Sequence, residues 1–156
     1  MSQRVILSTP QGITVMVPQS VGARSWGEEL VVALGPGYLG KLLRRMAGTA
    51  GDLQFHRQKH ETHYLFSGEA ELHCDNGAGV LVRHRMTAGH SVSIPPGAVH
   101  RVIAITDCIF FESSTPHFED RVNVSAQYGE ADDPNGLPTT VAPLTACEAG
   151  IDWPGR

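Results

Sequence analysis

Apolar and polar residues alternate along this chain in short runs of period two. Gly, Pro, Asn and Asp break the runs, and the pattern predicts strands. Residues 5–7, 13–17, 29–34 and 38–46 come first, the last two flanking Gly35-Pro36-Gly37. Residues 53–56 and 62–66 follow. Residues 69–74 alternate strictly, and Asp75-Asn76-Gly77 behind them is a hairpin signal ahead of residues 80–82. Residues 92–94, 99–105, 108–112 and 121–124 complete a dense β block. Residues 39–46 hold helix-favouring Leu, Lys, Arg and Met. They run straight on from a Gly-Pro-Gly turn inside an all-β stretch, so strand is the reading. Many short strands at regular spacing suggest a barrel or a sandwich.

Composition shifts near Gly129. Four of the ten prolines lie beyond it, at Pro134, Pro138, Pro143 and Pro154. The expected organisation is one β-barrel domain over residues 1–129 and an irregular Pro/Gly-rich arm over residues 130–156. Leu137, Val141, Leu144, Ile151 and Trp153 would pack the arm on the barrel or on a partner subunit.

The chain has 156 residues, enough for one domain with a real core. Net charge is −4 and charged residues make up 18%, which argues against a nucleic-acid partner. The basic run Lys41-Leu42-Leu43-Arg44-Arg45 reads as an exposed strand face. No apolar stretch reaches the length of a membrane span, and the first residues do not read as a signal peptide. Cys74, Cys108 and Cys147 are odd in number and widely spaced, which fits a reducing cytoplasm and disfavours zinc held by thiolates.

The chemistry lies in the histidines, eight in all. Residues i and i+2 of a strand face the same way, so Gln54 and His56 share a face. Glu61 opens the next strand after a short turn. His100 opens a third after Pro95-Pro96-Gly97. A small barrel would bring these side chains to one interior point, where two imidazoles, a carboxylate and an amide oxygen suit a divalent metal. Alternation also aims His63 inward beside Glu61. Glu112 ends the apolar run Ile109-Phe110-Phe111, and a carboxylate there needs a partner or a raised pKa. Lys59 and Arg101 are candidate anion anchors, with Arg101 pointing away from the His100 side. His60 is an alternative ligand to Gln54. His73, His84, His90 and His117 read as solvated, as do Glu69 and Glu71. Trp26 reads as packing, and Ser113-Ser114 has no company suggesting a triad.

Two spacings resemble the cupin superfamily. Gly48, Gln54, His56, Glu61 and Gly68 fall on its first motif, with Gln54 standing where the leading His would be. Gly89, Pro95, Gly97 and His100 match its second motif throughout, while Ala104 stands where an Asn often follows. The resemblance covers roughly residues 26–129. It implies a small double-stranded β-helix, or jelly-roll barrel, that is usually dimeric. Within the superfamily, Arg24-Ser25-Trp26-Gly27, Leu53-Gln54-Phe55-His56, His100-Arg101 and Gln127-Tyr128-Gly129 resemble the cupin domain of type II mannose-6-phosphate isomerases. Thr62-His63 and Glu130 depart from that pattern.

The resemblance implies a metal site at Gln54, His56, Glu61 and His100, with zinc, manganese, iron or nickel left open. It implies an isomerase or epimerase of a sugar or sugar phosphate, working through a metal-stabilised enediolate. His63, Glu112 or Lys59 would be the base, and Lys59 with Arg57 or Arg101 would hold a phosphate. Two further readings stay open. His56, Glu61 and His100 also form the two-His, one-carboxylate set of non-haem Fe(II) dioxygenases. The same pocket would equally serve a non-catalytic sugar-binding module. The expected partners are a small carbohydrate and a second copy of the chain, with neither nucleic acid nor membrane.

Overall fold

A computed structural model describes residues 4–118, 120–140 and 144–145. Val141, Ile151, Trp153 and Cys147, named above, lie outside them, as does the side chain of Leu144. The described residues form fifteen strands: β1 (Arg4–Ser8), β2 (Thr14–Val17), β3 (Gln19–Arg24), β4 (Gly27–Gly35), β5 (Tyr38–Arg45), β6 (Gln54–His56), β7 (Glu61–Ser67), β8 (Glu69–Asp75), β9 (Leu81–Thr87), β10 (Ser91–Ile94), β11 (His100–Ala104), β12 (Cys108–Ser114), β13 (His117–Phe118), β14 (Arg121–Asn123) and β15 (Leu144–Thr145). Among the described residues, the one helical element is a single 3-10 turn, Ser125–Tyr128. No helix there is long and apolar enough to cross a membrane.

Two antiparallel sheets form the barrel. One has the order β10-β7-β12-β5-β4-β3 and the other β14-β6-β11-β8-β9. This is the jelly-roll architecture that the cupin resemblance implies, where the strand pattern alone suggested a barrel or a sandwich. Residues 39–46 are indeed strand for most of their length. The β3 strand was not foreseen, because Gln19, Ser20 and Gly22 break the apolar pattern; it is held by pairing with β4.

Alternation divides the barrel interior into rows. Across β5, β12 and β7, Leu43 stands opposite Phe110 and Phe110 opposite Leu65. These three are essentially fully buried and join Met86, Val102 and Ala104 in the main core. The next row inward on the same strands is Lys41, Glu112 and His63, and the one after is Leu39, Ser114 and Glu61. One part of the barrel is therefore hydrocarbon, and an adjoining part holds charged groups at the same depth. Burying the apolar row stabilises the fold at roughly 25 cal/mol per Å² of apolar surface removed from water.

Two readings need correction. The basic run on β5 is not an exposed face. Period two sends Lys41 and Leu43 inward with Leu39, Lys41 is only 7% exposed, and Arg44 alone of the cations is open to solvent. His73 is buried, not solvated. It lies against the Glu71 carboxylate and accepts a hydrogen bond at Nδ1 from Arg101 Nε at 3.2 Å.

Residues 130–140 lie along the barrel. Asp133 N–H donates to Asp52 Oδ1 at 2.7 Å, Asn123 Nδ2 donates to Leu137 O at 2.8 Å, and Thr140 N–H donates to Arg121 O at 3.0 Å.

Candidate metal centre

The end of β6, the start of β7 and the start of β11 converge on one cavity of about 100 Å³. The turn before β11 is pinned there: Gly97, at φ 82°, donates its N–H to the His56 carbonyl at 2.8 Å. Its positive φ suits a residue without a Cβ. His56, Glu61 and His100 are all 5% exposed or less.

The geometry assigns the protons. A carboxylate and a carbonyl can only accept. Asp120 Oδ1 lies 2.8 Å from His56 Nδ1, and Ala98 O lies 2.9 Å from His100 Nδ1. Both Nδ1 atoms therefore carry the hydrogen, and in neutral rings both Nε2 atoms present lone pairs. Burial lowers the pKa of His56, with the Lys59 charge adding to the effect, so its ring stays neutral. His100 Nε2 lies 3.2 Å and His56 Nε2 3.6 Å from Glu61 Oε1. The three donor atoms lie within 4.8 Å of one another. Three electron-rich atoms at such range repel unless a cation sits between them. The donor set, two nitrogens and one oxygen, fits a divalent metal.

A second group, Glu61, His63 and Glu112, lies beside the first. It already has its cation. Lys59 Nζ is 2.7 Å from Glu61 Oε2 and 3.1 Å from Glu112 Oε1. Burial alone would raise both carboxyls, but the Lys59 ammonium outweighs it and holds both below their usual range. Burial alone would lower the Lys59 pKa, and the two carboxylates reverse that, so the ammonium stays charged. His63 Nε2 stands 3.4 Å from Glu61 Oε2 and 3.8 Å from Glu112 Oε2, yet both of its ring nitrogens are buried without a hydrogen-bond partner.

The structure thus brings His56, Glu61, His100, His63, Glu112 and Lys59 together. Gln54 lines the same cavity and stands in register with His100 on the neighbouring strand. Arg57 is exposed and donates to the Thr140 carbonyl. Arg101 reaches the cavity wall, but its guanidinium is held by both oxygens of Glu130. His60 is exposed and bonds Ser93 Oγ, away from the donor set.

Four residues were not assigned to the site from sequence. Asp120 precedes β14, whose Arg121 pairs with His56. Its second oxygen accepts the N–H groups of Gln58 and Lys59 at 3.0 and 2.8 Å, which shapes the β6–β7 turn. Lys41, Arg45 and Glu29 line the cavity from β5 and β4. Strand alternation from Leu39 and Leu43 was the signal for the first two.

Comparison with known proteins agrees with this picture. Residues 42–112 match the family model described as the cupin domain. Among solved structures, KdgF from Halomonas sp. is similar with a TM-score of 0.56 at 16% identity, covering 63% of this chain and 87% of that one. CapF from Staphylococcus aureus, a capsular polysaccharide assembling protein, gives 0.58 at 15% identity, covering 83% of this chain and 31% of that one. Oxalate decarboxylase from Bacillus subtilis gives 0.55 at 19% identity, covering 69% and 30%. The chain thus spans under a third of the latter two proteins. At these identities the likeness is one of fold. No curated protein sequence matches the chain.

Proposed function

We propose that the protein, whose residues 42–112 match the cupin domain model, is a metal-dependent isomerase or epimerase of a sugar or sugar phosphate. The observation that carries this reading is His63. Its two buried nitrogens have no hydrogen-bond partner, and it lines the cavity that the His56, Glu61 and His100 donors also face.

A divalent metal held by those three residues, with Gln54 as a fourth ligand, would supply Lewis-acid stabilisation of negative charge developing on substrate oxygens. The chain's own residues supply the rest. Asp120 and the Ala98 carbonyl keep His56 and His100 oriented. Lys59 is committed to two carboxylates and holds Glu61 in place. His63 Nε2 takes a proton from a carbon next to the substrate carbonyl and returns it to the adjacent carbon, so the reaction is redox-neutral overall. Glu112 sets the position of His63 from the neighbouring strand. The apolar row behind, Leu43, Phe110 and Leu65, excludes water from one side.

The test is deuterium exchange. Metal-loaded protein incubated with aldose and ketose phosphates in D₂O should incorporate deuterium at the carbon beside the carbonyl, read by NMR. His63→Gln should lose exchange while keeping its metal. Absence of exchange across the panel, with metal bound, would overturn the reading.

A second reading has one observation in its favour. Two His and one carboxylate are the ligand set of non-haem Fe(II) oxygenases. Substrate-dependent oxygen consumption by iron-loaded protein, without deuterium exchange, would select it. Ligand binding with neither activity would select a binding module.

A further inference from the structure

The cavity holds a second charged region that the proton-transfer reading leaves unused. Arg45 ends β5, opposite Cys108 of β12 and Gly27 of β4. It lies four residues from Lys41, which pairs with Glu112, so the two backbones are roughly 13 Å apart along the strand. The Arg45 guanidinium sits 3.9 Å from the centroid of the Trp26 ring. Stacking on an indole occupies the face of the guanidinium and fixes its plane. Donors around its rim are left bare: Arg45 Nε and Nη1 are buried without a hydrogen-bond partner, as is Arg24 Nε on the same cavity wall. Among the described residues Arg45 joins no ion pair. Glu29, which also lines the cavity, is engaged by Arg24 at 3.1 Å and by Lys41 at 3.6 Å.

Buried N–H donors of a cation are costly to leave open, because they have lost water and gained nothing. An oxyanion in the cavity would supply the acceptor that these buried donors lack. The other cations raised as anchors are spent. Lys59 lies between two carboxylates, Arg101 on Glu130, and Arg57 on the Thr140 carbonyl outside the cavity.

We infer that Arg45, stacked on Trp26 and aided by Arg24, is the seat for an anionic group of the substrate, a phosphate or a carboxylate, at the end remote from the reacting carbons. This rests on the reading that the cavity takes a sugar-like substrate, and it narrows that class to anionic members.

The experiment is an NMR titration of the full chain, following the arginine Nε–H resonances, with inorganic phosphate in one series and acetate in another. Comparison with spectra of Arg45→Lys and Arg24→Lys assigns the two signals. The expected result is a saturable shift of the Arg45 signal, while the exposed Arg57 signal moves little. Saturation by phosphate but not by acetate identifies a phosphate seat, and saturation by acetate a carboxylate seat. Arg45→Gln should weaken anion binding roughly tenfold or more, the range expected for lost charge-assisted bonds. Arg45→Lys, which keeps the charge but loses the planar guanidinium and its stacking on Trp26, should also bind the anion more weakly than the parent, and it carries the test if the Gln variant does not fold. The absence of a saturable shift with either anion overturns the inference. This readout uses no turnover, so a saturating Arg45 signal without deuterium exchange would leave the anion seat standing and remove only the isomerase reading.

Discussion

Asp120 Oδ1 accepts a hydrogen bond from His56 Nδ1 at 2.8 Å, and that bond decides which nitrogen of the ring faces Glu61. Removing it frees the ring to turn and to exchange tautomers. Asp120→Ala should therefore weaken metal affinity roughly 10- to 100-fold, the range seen when such orienting carboxylates are lost. Competition between the protein and a chromogenic chelator measures it directly. Asp120→Asn keeps an oxygen toward His56 and should lose less. Equal affinity in Asp120→Ala and the parent would mean that the bond orients nothing of consequence.

Elemental analysis of protein purified without chelator should find about one metal ion per chain, since the donor set closes around a single point. His100→Ala should lose it. The loaded protein should also melt at a higher temperature than the chelator-treated protein, because a ligand that binds only the folded state adds to its stability.

Lys59→Met should destabilise the fold by about 3–5 kcal/mol, because it leaves Glu61 and Glu112 buried without their cation. Urea denaturation reads the change. Adding Glu112→Gln to that variant removes one of the two stranded charges and should recover part of the loss. If the double variant were no more stable than Lys59→Met, the repulsion argument would fail.

Acid should unfold the protein partly through Glu29. Burial raises this carboxyl, but Lys41 and Arg24 outweigh it and bring the pKa from 4.5 to about 2. A group with a depressed folded pKa stabilises fully above its unfolded value and loses that contribution as pH falls through the folded one. The window is pH 4.5 down to 2, and the contribution is on the order of 3 kcal/mol. Glu29→Gln should start less stable at pH 7 and lose less between pH 4.5 and 2. Parallel stability curves for the two proteins would contradict this.

The convergence of His56, Glu61 and His100 was legible because their positions follow from local rules. Period two places His56, the turn length places Glu61, and Pro95-Pro96-Gly97 places His100. His63 and Glu112 were readable as inward residues for the same reason. Asp120 was not, because its meeting with His56 depends on β14 lying beside β6, a non-local pairing that spacing does not encode. Lys41 and Arg45 failed differently. Charge suggested solvent, while alternation from Leu39 and Leu43 pointed inward, and the wrong rule was preferred. His73 was misread likewise, since its burial depends on Arg101 and Glu71 closing over it.

The two oxygens of Glu61 look into unlike neighbourhoods: Oε1 toward two bare imidazole nitrogens, Oε2 toward an ammonium. The usual uncharged replacement is therefore not a blank. In Glu61→Gln, Lys59 repels the amide nitrogen and would claim the amide oxygen. The NH₂ would then be turned onto the lone pairs of His56 and His100 and would bond there as a donor. The amide would act as a plug, closing the side toward the two imidazoles with hydrogen bonds while leaving the Lys59–Glu112 ion pair behind it. A structure that looked intact and well ordered would, for that reason, report nothing about whether this face could still take a cation.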